Sequence, residues 1–270
     1  MKLYKFIMSI LEQIYQYKIN FVENQKKIIS QDKIKKKITT IKSKNSDFYE
    51  TLKAQNDKVS IIGEIKRASP SLGKFVKDDI NIIEIAKAYE KNNISCLSVL
   101  TDEEYFNGNI NDLIRIKAST NIPILRKDFI VDEYQIYESK LCGADCILII
   151  LSMINEHLAT KFAKVAEELN MDSIIEVHNI YELEIAKRMN SKMIGINNRN
   201  LKNFVTDLNT TIELAKKIGD CDKLLISESG FHSKEDIDKI KESTKINNFL
   251  IGEFLMKSKN LQTHINKLLT

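Results

Sequence analysis

The chain has 270 residues, 43% of them hydrophobic and 29% charged, with a formal net charge of +4. That apolar fraction excludes wholesale disorder, while 8 Gly and 2 Pro exclude collagen-like or proline-rich character and leave few tight turns for an all-β fold. No apolar run approaches the ~18 residues of a membrane span. The four cysteines (Cys96, Cys142, Cys146, Cys221) form no CxxC pair and no zinc cluster with the four histidines. Reduced thiols, a cytoplasmic location and no bound metal or cofactor are therefore the expectation.

At the N-terminus, MKLYKFIMSILEQIYQYK faintly mimics a secretion signal. Its apolar core is short, Glu12 interrupts it and no small-residue cleavage site follows, so it reads as an amphipathic helix. Phe6, Ile7, Ile10, Leu11 and Ile14 fall at helical spacing and predict packing near the barrel mouth. Residues 25–44 hold eight Lys and one Asp, a local charge of +7. Such a stretch could serve nucleic acid or a membrane. No RNA-binding signature or interleaved aromatics accompany it, so a solvated helix face is expected, with Ile28, Ile29, Ile34, Ile38 and Ile41 packing inward.

From residue 59 the pattern becomes rhythmic. Short β-branched runs begin near Val59, Ile94, Ile122, Ala144, Asp172, Lys192, Lys223 and Asn247, 20 to 35 residues apart. Between them, and after the last, lie helical periodicities such as IIEIAKAYEKN, NEHLATKFAKVAEELN and NLQTHINKLL. Eight strands alternating with eight helices predict an α/β fold, a (β/α)8 TIM barrel over residues 59–270, with residues 1–58 as an N-terminal helical extension covering one end. The runner-up, a doubly wound open sheet, would want a Gly-rich phosphate loop, and neither GxGxxG nor GxxxxGK[ST] occurs.

Barrel active sites lie at the C-terminal ends of the strands. Ionisable residues interrupt the apolar runs there: Glu64 and Lys66 in the first, Arg126-Lys127-Asp128 in the third, Glu176 and His178 in the fifth. Asn197, Asn198 and Arg199 close the sixth run, and Glu228 and Ser229 the seventh. This set permits proton transfer and electrostatic stabilisation, and a Schiff-base lysine stays open. Gly230, before a Ser233/Asp236 capping box, and Gly252, after the eighth run, stand where this fold binds phosphate.

These segments resemble indole-3-glycerol-phosphate synthase. IIGEIKRASPSLGKF is the most specific, followed in order by SVLTDEEYFNG, ILRKDFIVDEYQI, GADCILIIL, IIEVHN, GINNRNL, SESG and LIGEFLM. The match runs from about residue 45 to the end, with a looser one over ILEQIYQYK. The resemblance implies ring closure of 1-(2-carboxyphenylamino)-1-deoxyribulose 5-phosphate, with decarboxylation and dehydration to indole-3-glycerol phosphate. It implies Lys127 as general acid at the C2′ carbonyl and Glu176 as general base for later proton removal. Lys66 would grip carboxylate or phosphate and share acid duty, while Glu64, Asn197 and Ser229 position these groups. Ser69, Pro70, Phe106, Phe129, Arg199 and Glu228 would line the substrate, with Gly230 and Gly252 at the phosphate. Glu253 departs from the small hydroxyl residue of many relatives, so only Gly252 is carried over there. The implied partner is a small phosphorylated substrate, with no nucleic acid and no membrane, and the chain is expected as a monomer or weak homo-oligomer. A sugar-phosphate isomerase, a Schiff-base aldolase and a basic binding protein acting through residues 25–44 are the rival readings.

Overall fold

A computed structural model describes residues 9–41, 47–55, 58–70, 73–76, 80–201, 203–219, 221–258 and 260–269. The eight barrel strands are β1 (Ser60–Ile65), β2 (Cys96–Leu100), β3 (Ile124–Lys127), β4 (Cys146–Ile150), β5 (Asp172–Val177), β6 (Met193–Asn197), β7 (Leu224–Glu228) and β8 (Asn248–Ile251), and a short antiparallel pair, Ala68–Ser69 with Gly73–Lys74, stands apart from them. All barrel neighbours are parallel, and β8 pairs back onto β1 with Ile61 opposite Phe249, closing the barrel. Because side chains alternate along a strand, each strand feeds two cores. Outward residues such as Leu97, Val99, Ile147, Ile149, Ile194 and Ile196 meet the helices. Inward residues Ile62, Cys96, Leu125, Leu148, Ile174, Met193, Ile226 and Leu250 fill the barrel.

The eight expected helices follow the eight strands. Two four-residue helices, Glu103–Phe106 and Glu253–Met256, were not expected, because four residues are too few to display a helical period.

The leader forms α1 (Ile10–Ile28), α2 (Gln31–Ile38) and α3 (Phe48–Lys53). A capping box between Ser9 and Glu12 starts α1, and the Ser30 hydroxyl caps α2. Helix α1 presents Leu11 and Ile14 to the barrel mouth. Val22 and Ile34 pack with Tyr134 on the flanking helix Glu133–Cys142. Phe48 and Leu52 of α3 join the inner core, with the Phe48 carbonyl accepting from Cys96 Sγ at 3.8 Å at the start of β2. The extension thus reaches both ends of the barrel, where one was expected. Phe6 and Ile7 lie outside the described residues. Ile34 is buried and Ile29 and Ile38 are packed beside it, but Ile28 is 76% and Ile41 40% exposed, against expectation. Ile28 lies about 120° around the helix from the buried Val22, and Ile41 follows the end of α2.

Candidate active site

Alternation along the strands aims Glu64, Lys127, Glu176, Asn197 and Glu228 into one mouth, where they line a cavity of about 850 Å³. Lys66, Ser69, Pro70, Phe106, Phe129, Arg199 and Ser229 line it too. At its centre Lys127 Nζ lies 2.9 Å from Glu176 Oε2 and 2.6 Å from Glu228 Oε2. Lys66 Nζ lies 2.6 Å from Glu64 Oε1. Asn197 Nδ2 donates to Glu176 Oε1 at 3.1 Å.

The electrostatics separate these groups. Burial opposes charge on Lys127, but Glu176, Glu228 and Glu64 outweigh it and raise its pKa above the ordinary lysine range. Burial alone would raise the Glu176 carboxyl; Lys127 and His178 overcome that and hold it well below the usual range. Glu228 is pushed upward, because burial and the nearby Glu176 and Glu64 outweigh Lys127. Two carboxylates around one ammonium therefore differ in proton affinity, as acid–base division of labour requires. Gly195 makes the arrangement possible: a Cβ there would lie 2.1 Å from Glu228 Oε1.

Gly230 and Gly252 line a smaller adjoining cavity with Lys66, Arg199, Ser229, His232 and Glu253. Gly230 has φ +91°, and a Cβ there would meet Thr206 Cγ2 at 2.6 Å. At Gly252 a Cβ would come 2.3 Å from Glu64 Oε1, so that glycine also admits the Glu64 carboxylate. The Ser233/Asp236 capping box is present. The Glu253 side chain turns to Lys257 at 2.7 Å and Arg199 at 3.7 Å. Phe106 and Phe129 form a tilted pair with centroids 5.9 Å apart, an apolar slab beside the charged cluster.

Not every strand-end residue enters the mouth. Arg126 points outward and donates to Gln135 O, Ser139 Oγ and Thr101 Oγ1, with Asp128 and Glu138 as ion partners. Asn198 also points outward and bonds Ser227 and Thr211. Leu11 and Ile14 of α1 line the mouth as their helical spacing led one to expect, but sequence reasoning missed Asp102 at the end of the second run, which the strand-end criterion would have found, and the wall residues Leu148, Ile150, Leu201 and Phe204. It also missed Lys18. This α1 lysine is 1% exposed, with Nζ 2.8 Å from Asp102 Oδ2 and 2.7 Å from Asp128 Oδ1. Burial would raise the Asp128 carboxyl, but Lys18 and Arg126 bring it down to about 2.

A closed parallel barrel with an enclosed ammonium–carboxylate cluster at the C-terminal ends of its strands defines a (β/α)8 enzyme of proton-transfer chemistry. Among the described residues no cluster of His, Cys, Asp and Glu could hold a metal ion, and no helix is long and apolar enough to cross a membrane. The chain belongs to the indole-3-glycerol phosphate synthase family, whose model matches residues 11–268. It is 44% identical over 267 residues to the indole-3-glycerol phosphate synthase of Legionella pneumophila strain Lens, covering 97% of this chain and 99% of that one. The namesake protein of Thermoanaerobacter pseudethanolicus is 42% identical over 248 residues, 92% of each chain. A crystal structure of 3-hexulose-6-phosphate synthase superimposes with a TM-score of 0.61 at 12% identity, covering 77% of this chain and 97% of that one, a likeness of fold alone.

Proposed function

We propose that this chain converts 1-(2-carboxyphenylamino)-1-deoxyribulose 5-phosphate to indole-3-glycerol phosphate, with Lys127 and Glu176 as its acid and base. The observation that carries the assignment is Lys127 Nζ held between Glu176 and Glu228 inside the mouth. Three carboxylates keep that ammonium charged, as a general acid must be. It donates to the C2′ carbonyl oxygen as the ring carbon attacks and a carbon–carbon bond forms. Loss of CO2 then returns the bonding electrons to the ring, and the C2′ hydroxyl takes a proton from Lys66, which shares the acid duty, and leaves as water. Glu176, kept ionised in a dry site, takes the ring proton that completes the indole.

The other residues bind and orient. Phe106 and Phe129 flank the aromatic ring. Lys66, already beside Glu64, grips an anionic substituent and joins Arg199 where the two cavities meet. Gly230 and Gly252 border the smaller cavity, which takes the phosphate. Asn197 and Ser229 hold the reacting groups, and Ser69 and Pro70 close the wall. Residues 1–58 act as one extension over the barrel of residues 59–270. Four free cysteines support a cytoplasmic setting, and the chain acts as a monomer or weak homo-oligomer.

Steady-state kinetics on Lys127→Ala and Lys66→Ala test the assignment. Loss centred on kcat in the first and on KM in the second supports it. A folded Lys127→Ala with wild-type kcat would move the acid role to Lys66.

A further inference from the structure

Behind Glu176, outside the cavity lining, stands His178. Its Nε2 lies 3.3 Å from Glu176 Oε1 and its Nδ1 3.2 Å from Glu182 Oε2. Each ring nitrogen therefore faces a carboxylate oxygen. The Nδ1 contact is a hydrogen bond, while Nε2 meets Glu176 at ion-pair distance outside hydrogen-bond geometry; a neutral imidazole would turn a lone pair toward one of the two carboxylates, whereas the imidazolium brings positive charge to both. The outer carboxylate is fixed in turn. Glu182 sits in the first turn of helix Ile180–Arg188, where it accepts from the His178 backbone N–H at 2.7 Å and from Asn179 Nδ2 at 2.6 Å. A helix N-terminus thus anchors Glu182, Glu182 anchors His178, and His178 meets Glu176.

The two oxygens of Glu176 are divided by this arrangement. Oε1 accepts from Asn197 and has the His178 ring 3.3 Å away at ion-pair distance on the protein side. Oε2 faces Lys127 in the mouth. Around Glu176 stand Lys127 of β3, Glu228 of β7 and Glu64 of β1, and His178 faces Glu176 and Glu182. Lys127 is shared with Glu228, so Glu176 has only part of its charge, and a carboxyl this buried would otherwise gain a proton.

We propose that His178 is a positioning residue for the reaction: as an imidazolium clamped by Glu182, it orients the Glu176 carboxylate and keeps it ionised for proton removal. This rests on Glu176 being the base. The ring's charge is favoured by its surroundings: burial would lower its pKa, but Glu176 and Glu182 raise it to about 9.

The test is the pH profile of kcat/KM for His178→Gln, Glu182→Gln and Glu176→Gln, each checked by circular dichroism. Loss of the imidazolium should move the acid limb of His178→Gln upward by about one pH unit, the scale of one removed opposite charge. The kcat should fall about tenfold with KM little changed, and Glu182→Gln should move the limb the same way by less. A merely structural histidine would lower stability and leave the limb in place. If His178→Gln does not fold, histidine ring NMR on the wild-type chain decides: the imidazolium signal should persist at pH 8 and be lost there in Glu176→Gln. An unmoved acid limb in folded His178→Gln, or a neutral ring at pH 8, overturns the proposal. Near wild-type activity in folded Glu176→Gln would overturn the base assignment itself.

Discussion

Replacing Lys18 by Met keeps most of the side-chain volume and removes the charge that joins α1 to the barrel. The lysine bridges Asp102 and Asp128 at 2.8 and 2.7 Å with almost no solvent exposure. Breaking a buried ion pair by deleting one partner costs about 3–5 kcal/mol, since an uncompensated charge stays behind. Two features set the loss at the low end, about 3 kcal/mol. Arg126 Nη2 still neutralises Asp128 from 3.1 Å. Asp102 is already raised by burial and can take up a proton. At roughly 2–4 °C per kcal/mol, the melting point should fall by about 6–12 °C. Denaturant melts followed by circular dichroism measure the loss. The deficit should narrow as pH falls, because the folded variant binds a proton at Asp102 that the unfolded chain releases. Adding Asp102→Asn should recover part of the loss, with a coupling above about 1 kcal/mol. The KM should rise as well, since α1 carries Leu11 and Ile14 at the cavity wall. A loss below about 1 kcal/mol, with no coupling, would show that the ion triad does not hold the leader in place.

Other outcomes follow from the same geometry. Lys127→Ala and Glu176→Gln should each lose roughly 10²–10⁴-fold in kcat while staying folded, as general acid–base groups do; matched melts and kinetics separate the two effects. Lys66→Ala should raise KM and lower kcat less, read from initial rates. The folded-state pKa of His178 is about 9, above its unfolded value of ~6.5. Its contribution to stability is therefore complete below pH ~6.5 and is lost as pH rises through about 9; urea melts at pH 6, 8 and 10 should show a slope that His178→Gln flattens. Activity should survive dialysis against excess chelator, and a complete loss restored by one divalent ion would remove the cofactor-free scheme.

The barrel was legible because period-2 and period-3.6 patterns alternate without interruption after residue 59, and because buried parallel strands such as CILII read as unbroken apolar runs. The cluster was legible for a related reason: a charged residue closing an apolar strand has little place in a core unless it is used. Which strand-end residues turn inward was harder to read. The same alternation that aims Lys127 inward sends Arg126 out beneath a helix, and the two are adjacent in sequence. Lys18 reads as a solvated charge in a polar leader. Its signal was its place on the stripe Ile14, Lys18, Val22, four residues apart on one helix face, all three buried. The capture of a buried lysine by Asp102 and Asp128 depends on tertiary contacts more than 80 residues apart, which no local period records. Gly252 shows a further limit: its spacing pointed to an anion, while the room it leaves is also taken by the Glu64 carboxylate.

The most direct measurement is incubation of the purified chain with 1-(2-carboxyphenylamino)-1-deoxyribulose 5-phosphate, following indole fluorescence and CO2 release together, with Lys127→Ala beside it. Equimolar indole-3-glycerol phosphate and CO2 from the wild-type chain, abolished or cut at least about 100-fold in the variant, is the predicted result. No indole product from the folded wild-type chain, or a borohydride-trapped adduct of a carbonyl substrate on Lys66 or Lys127, would contradict it.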